Sequence, residues 1–174
     1  MIRESNENDI ESLLALFAEA RTTIAKLDID QWQNGYPDIE VIKRDIARGE
    51  SYVYTENGEL LATFAMLQNT EPTYNTIYNG EWKSGDTTAY TAIHRFAIAV
   101  RARGRGIAGE ILAFAKEYAR RNNKFSLRID THEGNVVMRR MLEKNGFSCC
   151  GVIYLENGDA RVAYEKLLHT ERKL

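Results

Sequence analysis

Residues 96–110 read FAIAVRARGRGIAGE, an apolar run that breaks into three arginines and two glycines and then turns helical. A surface loop needs neither the glycines nor their spacing. A strand that ends in a glycine-rich turn and opens a helix makes an anion site for definite reasons. The first N–H groups of a helix lack intrahelical acceptors, and the helix dipole adds partial positive charge there. Glycine lets the backbone approach phosphate oxygens where a Cβ would collide. Gly104 and Gly106 therefore allow close approach, and the N–H groups from Arg103 to Ala108 can face a diphosphate. Entry through R-x-x-G sets the turn apart from the dinucleotide fingerprint, and no Lys-Ser or Lys-Thr pair follows the glycines as a P-loop requires.

Outward from this turn the pattern is mixed. Residues 90–100 read as a long strand leading in, and Ile107, Ala108, Ile111, Leu112, Ala115 and Ala119 make one apolar face of a helix leading out. Upstream, residues 2–4 read as a short strand. Asn8 with Glu11 reads as a capping box for a helix carrying Ile10, Leu13, Leu14, Phe17 and Ile24. The turn-rich 32 WQNGYP 37 precedes a helix over 38–47 that ends at Gly49. Strands over 52–56 and 59–67 join through Asn57-Gly58, a strong hairpin signal. Residues 70–86 are polar and aromatic, and their length predicts a binding loop or lid. Downstream, 125 FSLRID 130 alternates as a strand. Residues 135–145 show Val137, Met138, Met141 and Leu142 on one helical face before Gly146. The chain closes with a hairpin over 147–155 and 160–168. The pattern predicts an α/β (α+β) chain, one domain over 1–174, with a single mixed, mostly antiparallel sheet flanked by helices.

Composition sets the outer limits. With 44% hydrophobic and 28% charged residues the chain is ordinary globular material rather than disordered. No apolar run approaches the roughly 20 residues that cross a bilayer, so no membrane role is expected. The polar MIRESNENDI does not read as a secretory signal. Cys149 and Cys150 are adjacent and poorly placed for a cross-link, which points to a reduced, cytoplasmic setting. His94, His132 and His169 are widely spaced and no CxxC exists, so no metal site is expected. Net charge is −2, yet residues 95–128 hold nine Lys/Arg against Glu110 and Glu117, a local +7 that leaves −9 elsewhere. That centre suits a polyanionic small molecule or nucleic acid. Residues 101–110 contain no aromatic stacking platform, which argues against nucleic acid. A nucleic-acid-binding module is retained only as an alternative.

R101-A-R-G104-R-G106-I-A, directly after an apolar strand, resembles the R/Q-x-x-G-x-G/A signature of the GNAT superfamily of acyl-CoA N-acyltransferases. The segment 135 NVVMRRMLEKNGF 147 is similar to that family's N-x-x-(apolar)…(E/K)-x-GF segment, and the order of elements agrees along essentially the whole chain. The resemblance implies a fold whose central strands splay to admit acyl-CoA, and an N-acetyltransferase acting on a small-molecule or peptide primary amine in a ternary complex. Acetyl-CoA would be the donor, with pantetheine on backbone groups of Ile98 and Val100. Its diphosphate would lie on Arg101, Arg103, Gly104, Arg105, Gly106 and Ile107, with Asn135 at the pantetheine arm. Asn135 also suits a plain helix N-cap.

In this resemblance His94, six residues before Val100, stands where several members carry a basic Glu or His. It shares strand parity with Phe96, Ile98 and Val100. An attacking amine must first lose a proton, and an imidazole suits that task. A lone strand histidine is also often a packed core residue. Seven residues after the Asn, where many members place a Tyr acid, this chain has Leu142, which donates nothing. Cys149, Tyr154 and Tyr90 are weak substitutes, and solvent can suffice. That departure keeps open a non-catalytic acyl-CoA sensor of the same fold. The acceptor site would use Trp32, Tyr36, Glu71, Tyr74 and Asp130, whose aromatic faces and acids could hold an amine cation. Trp82 and Tyr78 more plausibly pack the 70–86 segment. Members of the family often dimerise, which leaves a homodimer open.

Overall fold

A computed structural model describes residues 1–67 and 69–168. Seven strands form one mixed sheet in the order β1-β2-β3-β4-β5-β7-β6, accompanied by four helices. The strands are β1 (Ile2–Glu4), β2 (Ser51–Glu56), β3 (Glu59–Leu67), β4 (Tyr90–Ile98), β5 (Ser126–Thr131), β6 (Ser148–Tyr154) and β7 (Ala160–Leu167). The helices are α1 (Ile10–Ala25), α2 (Ile39–Ala47), α3 (Ile107–Arg121) and α4 (Val136–Lys144). β1–β2, β2–β3, β5–β7 and β6–β7 pair antiparallel, and β4–β5 pairs parallel. The chain divides into two compact units, one of residues 1–66 and 93–111, the other of 67–92 and 112 onward.

In the first unit the Asn57-Gly58 turn has both residues at positive φ, 52° and 82°, which matches the twist of the β2–β3 hairpin. Tyr52 and Phe64 stack across that hairpin at 5.5 Å, and Val53, Leu61, Ala62 and Met66 are buried along the same two strands. The start of α1 differs from the sequence expectation. The capping box is formed by Asn6 and Asp9, not by Asn8 and Glu11. Arg3 explains the shift, because its guanidinium binds both oxygens of Asp9 at 2.7 and 2.8 Å and orients that carboxylate toward the Asn6 N–H. The same contacts hold the Asp9 carboxyl below its ordinary range, the hydrogen bond from Arg3 being the largest cause.

In the second unit the β4–β5 ladder covers Tyr90–Ala92 against Ser126–Arg128. Its core gathers Tyr74, Trp82, Tyr90, Ala92, Cys150, Ile153 and Ala163. The 70–86 segment is therefore no open lid. A 3-10 turn over Pro72–Tyr74 buries Tyr74, and the indole N–H of buried Trp82 donates to the Tyr74 carbonyl at 2.9 Å. Tyr78 pairs as a bridge with Val152 through two 2.8 Å bonds. Gly80 lies so close to β6 that a Cβ there would stand 2.0 Å from the Cys150 carbonyl oxygen. Trp82 packs as expected, while Tyr78 is half-exposed and meets Tyr154 edge-on at 5.1 Å.

Arg128, 2% exposed along its side chain, lies 4.2 Å from both the Trp82 and Tyr90 rings. It donates to Glu165 at 2.9 Å, and to the Ser84 hydroxyl and the Gly85 carbonyl at the same distance. Glu165, its cross-strand partner in β7, also accepts from Ser126 and twice from Ser84. The buried charge in the middle of β5 becomes intelligible once the opposite charge stands directly across the ladder.

Candidate active site

β4 ends at Ile98, two residues earlier than the 90–100 strand expected from sequence. Val100 instead opens a 3-10 turn, Val100–Ala102, and is exposed. Ala99 N–H still reaches the Leu61 carbonyl at 2.9 Å, and Val100 N–H meets Glu19 Oε1 at 3.3 Å. Gly104 and Gly106 follow with φ of 76° and 83°, values at which a Cβ strains the backbone, and α3 starts at buried Ile107. A Cβ at either glycine would meet no protein atom within 4 Å. Local packing therefore does not require these glycines. The positive φ does, and it leaves the concave side of the turn open. Among the described residues no acceptor takes the N–H groups of Gly104, Arg105, Gly106, Ile107 or Ala108. Consecutive free amides at a helix start form a fixed anion cradle.

The charge around the cradle is smaller than the sequence suggests. Arg105 pairs with Glu56, and Arg101 stands 3.6 Å from Glu59 and donates to the Leu60 carbonyl. Arg120 pairs with Glu117, while Arg95 and Arg128 are buried against Asp45 and Glu165. The local +7 is therefore no continuous basic surface, and the electrostatic case for nucleic acid weakens with it. Arg103 is exposed and, among the described residues, makes no side-chain hydrogen bond or ion pair.

Within β4, Arg95 has φ of 52°, a left-handed conformation that non-glycine residues rarely adopt. It interrupts the strand's alternation, so the expected shared parity of His94 with Phe96, Ile98 and Val100 fails. His94, Phe96 and Ile98 are each half-buried, and the fully buried positions beyond the break are Ala97 and Ala99. Such irregularities re-aim side chains and recur beside active sites. The Arg95 guanidinium is held on two sides. Nη1 donates to the Tyr36 hydroxyl at 2.9 Å, and Nε stands 2.5 Å from Asp45 Oδ2, a contact of charge rather than an aligned hydrogen bond. Burial raises the Asp45 carboxyl above its ordinary range, against the opposing pull of Arg95 and Arg44. Trp32, itself at φ 65°, packs edge-on against Phe17 at 5.7 Å and lies 6.4 Å from Tyr36. The first unit thus brings His94, Arg95, Tyr36 and Trp32 onto one strand and one adjoining loop.

In the second unit Tyr74 is 1% exposed, so its ring offers no face to a ligand. Its hydroxyl donates to Asp130 Oδ2 at 2.7 Å and so orients that half-buried carboxylate. Burial, then the Asp130 charge, raises the Tyr74 hydroxyl well above its ordinary pKa. Glu71 caps its own 3-10 turn through Thr73, and its N–H donates to the Tyr90 hydroxyl at 3.0 Å. Glu71, Tyr74 and Asp130 are therefore neighbours, but as a packed hydrogen-bonded set. Asn135 is the N-cap of α4, its side chain accepting from Met138 N–H at 3.2 Å. Leu142 is 0% exposed on the core face of α4. Tyr164 was not legible as part of this region. Its hydroxyl accepts from Arg139 and donates to Glu143, both at 3.0 Å, and burial pushes it up.

Sequence reasoning missed Arg95 with Asp45 and Arg128 with Glu165, and in each pair the signal is an arginine within a strand whose neighbours are largely apolar. Cys149 is exposed, Cys150 is buried, and both are free thiols. Among the described residues no group of three or more His, Cys, Asp or Glu could hold a metal, and no helix is long and apolar enough to cross a membrane. His169 lies outside the described residues.

The family whose description is Acetyltransferase (GNAT) matches residues 13–147. A GNAT-family acetyltransferase from Streptococcus agalactiae 2603 has the same fold at a TM-score of 0.89 and 38% identity, over 98% of this chain and 96% of that one. A GNAT-family acetyltransferase from Listeria monocytogenes 4b F2365 gives a TM-score of 0.71 at 18% identity, over 97% and 94% of the two chains. A ribosomal-protein-alanine N-acetyltransferase from Brucella melitensis gives 0.69 at 19% identity, over 97% and 99%. At that identity the last two attest the fold alone. No curated protein matches the sequence.

Proposed function

The chain belongs to the GNAT acetyltransferase family, and on that premise we propose that it transfers an acetyl group from acetyl-CoA to a primary amine. The observation that carries the donor assignment is the turn at Gly104–Ala108, with unclaimed N–H groups, open space where Cβ atoms would stand, and Arg103 uncompensated beside it. That cradle fits a diphosphate. When bound, acetyl-CoA supplies a thioester carbonyl open to a neutral amine.

The chain's own residues do the remainder. The amides of the turn and Arg101, Arg103 and Arg105 hold the diphosphate, assisted by the positive end of α3 at Ile107. Backbone groups of Ile98 and Val100 pair with the pantetheine arm, so the Glu19 contact to Val100 N–H must yield when the arm binds. Asn135 is assigned to the same arm on the family's pattern and keeps its capping bond. His94 takes the proton that an ammonium must lose before it can attack. Leu142 is buried and apolar, so the departing thiolate leaves without help from that position. A CoA thiolate is a fair leaving group near neutral pH. Free thiols at Cys149 and Cys150 suit a reducing, cytoplasmic setting for one catalytic domain over 1–174.

Calorimetry with acetyl-CoA, native chain against Gly106→Asp, tests the donor site. Micromolar binding that the aspartate weakens at least about 100-fold is expected, since it adds negative charge at an anion cradle. No binding by the native chain would remove the reading. With binding in hand, His94→Ala should lower kcat by about 10²–10⁴ while leaving acetyl-CoA affinity unchanged.

A further inference from the structure

The loop at 32–37 raises a problem of charge. Aromatic rings at an amine site suggest a cation held against their faces, yet the groups converging on Tyr36 are themselves cationic. Arg95 Nη1 donates to its hydroxyl at 2.9 Å, and Arg21 Nη1 approaches the Tyr36 and Pro37 carbonyls at 3.5 and 3.4 Å. The carboxylate in this group, Asp45, is buried and engaged by Arg95. A phenol carries one proton to donate and two lone pairs to accept with. Arg95 occupies a lone pair, and among the described residues no acceptor takes the phenolic proton. Half-buried Tyr36 therefore presents an O–H donor whose oxygen accepts from the Arg95 guanidinium. A bare ammonium has no lone pair and cannot accept that bond. A carbonyl or carboxylate oxygen is attracted and satisfied.

We propose that Tyr36 hydrogen-bonds an oxygen of the acceptor substrate, so that the preferred acceptor is an amine with a carbonyl or carboxylate next to the nitrogen, as in an amino acid or a peptide N-terminus. This rests on the acetyl-transfer reading and names the substrate class for it. Arg95 is the positioning residue. Its left-handed backbone persists only where the surroundings hold it, and Asp45 and Tyr36 are what its side chain holds.

The test uses acceptor sets on one carbon skeleton, alanine, alaninamide and ethylamine, then phenylalanine, phenylalaninamide and phenethylamine, each with acetyl-CoA. The native enzyme should favour the oxygen-bearing acceptors over the plain amine by at least about tenfold in kcat/KM. Tyr36→Phe, which removes one oxygen atom, should erase most of that preference, chiefly through KM, with acetyl-CoA affinity unchanged. Arg95→Gln should move the same ratio in the same direction, which an arginine with a purely structural role would not do. A carboxylate preferred to a carboxamide assigns recognition of charge, and equal use assigns recognition of the carbonyl. Native preference for the plain amine, no turnover of either set despite acetyl-CoA binding, or a Tyr36→Phe enzyme that loses rate equally on all acceptors overturns the proposal. Failure to bind acetyl-CoA instead removes the underlying reading, and calorimetry separates the two cases.

Discussion

Arg95 and Arg128 each place a guanidinium inside a strand, and each side chain is largely buried beside one carboxylate, yet their surroundings differ in kind. Arg128 has aligned hydrogen bonds to Glu165, Ser84 and Gly85 and an aromatic ring on either side, and its backbone is ordinary strand. Glu165, though burial opposes it, is held below its ordinary range by bonds from Ser126, Ser84 and Arg128. Arg95 has a left-handed backbone, a charge contact with Asp45 that is close but poorly aligned, and a partner carboxyl raised by burial. One ion pair is fully satisfied and ties the 82–85 segment to the sheet. The other is strained, and it leads to the Tyr36 hydroxyl. A buried charge pair held by several aligned hydrogen bonds is structural material, whereas one left partly satisfied at a distorted strand signals a site.

The comparison can be broken by mutation. Arg128→Ala leaves Glu165 buried without its cation and should cost about 3–5 kcal/mol, read as a lower urea midpoint. A loss under about 1 kcal/mol would mean the network is ornamental. Arg95→Met should cost less, about 1–3 kcal/mol at pH 8, because its contact with Asp45 is poorly aligned and backbone strain is relieved. That cost should shrink as the pH falls toward 5. A carboxyl with a raised folded pKa binds its proton more readily in the native state, so its penalty appears as pH rises above the unfolded value near 4 and fades as pH falls. A cost independent of pH would show that Asp45 is not the group left exposed to the change.

The smallest effect is one of slope. Glu165 has a lowered folded pKa, so its stabilisation is present above about pH 4.3 and is lost as pH falls through its lower folded value. Asp45 contributes with the opposite sign. Denaturation measured between pH 3 and 8 should therefore lose acid sensitivity in Glu165→Gln, and lose part of its decline at higher pH in Asp45→Asn. Identical pH profiles for the two variants would end the distinction between the pairs.

Local signals read well from sequence. Asn57-Gly58 demanded a hairpin, Asn135 suited a helix N-cap, and Gly104 with Gly106 marked the turn before α3, because each depends on backbone preferences within a few residues. The capping box misread at Asn8 shows the limit of that reasoning. The box forms at Asn6 and Asp9 instead, because Arg3, from a strand outside the helix, orients the Asp9 carboxylate. The parity of β4 failed for a related reason. Alternation is a rule for regular strands, and nothing adjacent to Arg95 announces that it will take φ of 52°.

The amino-acid sequence by itself determined the order of elements, the glycine turn before α3, and the leucine at 142, which has no proton to donate. Each follows from residue type and spacing along the chain. Only the tertiary structure decided that the 70–86 segment is pinned down, that most of the local +7 is already paired, and that Tyr36 turns its hydroxyl to a buried arginine. Those outcomes depend on Glu165, Glu56, Glu59 and Asp45 arriving from distant positions. Electrostatics acts through space, so a charge cannot be assigned to solvent, partner or ligand until the fold has chosen its neighbours.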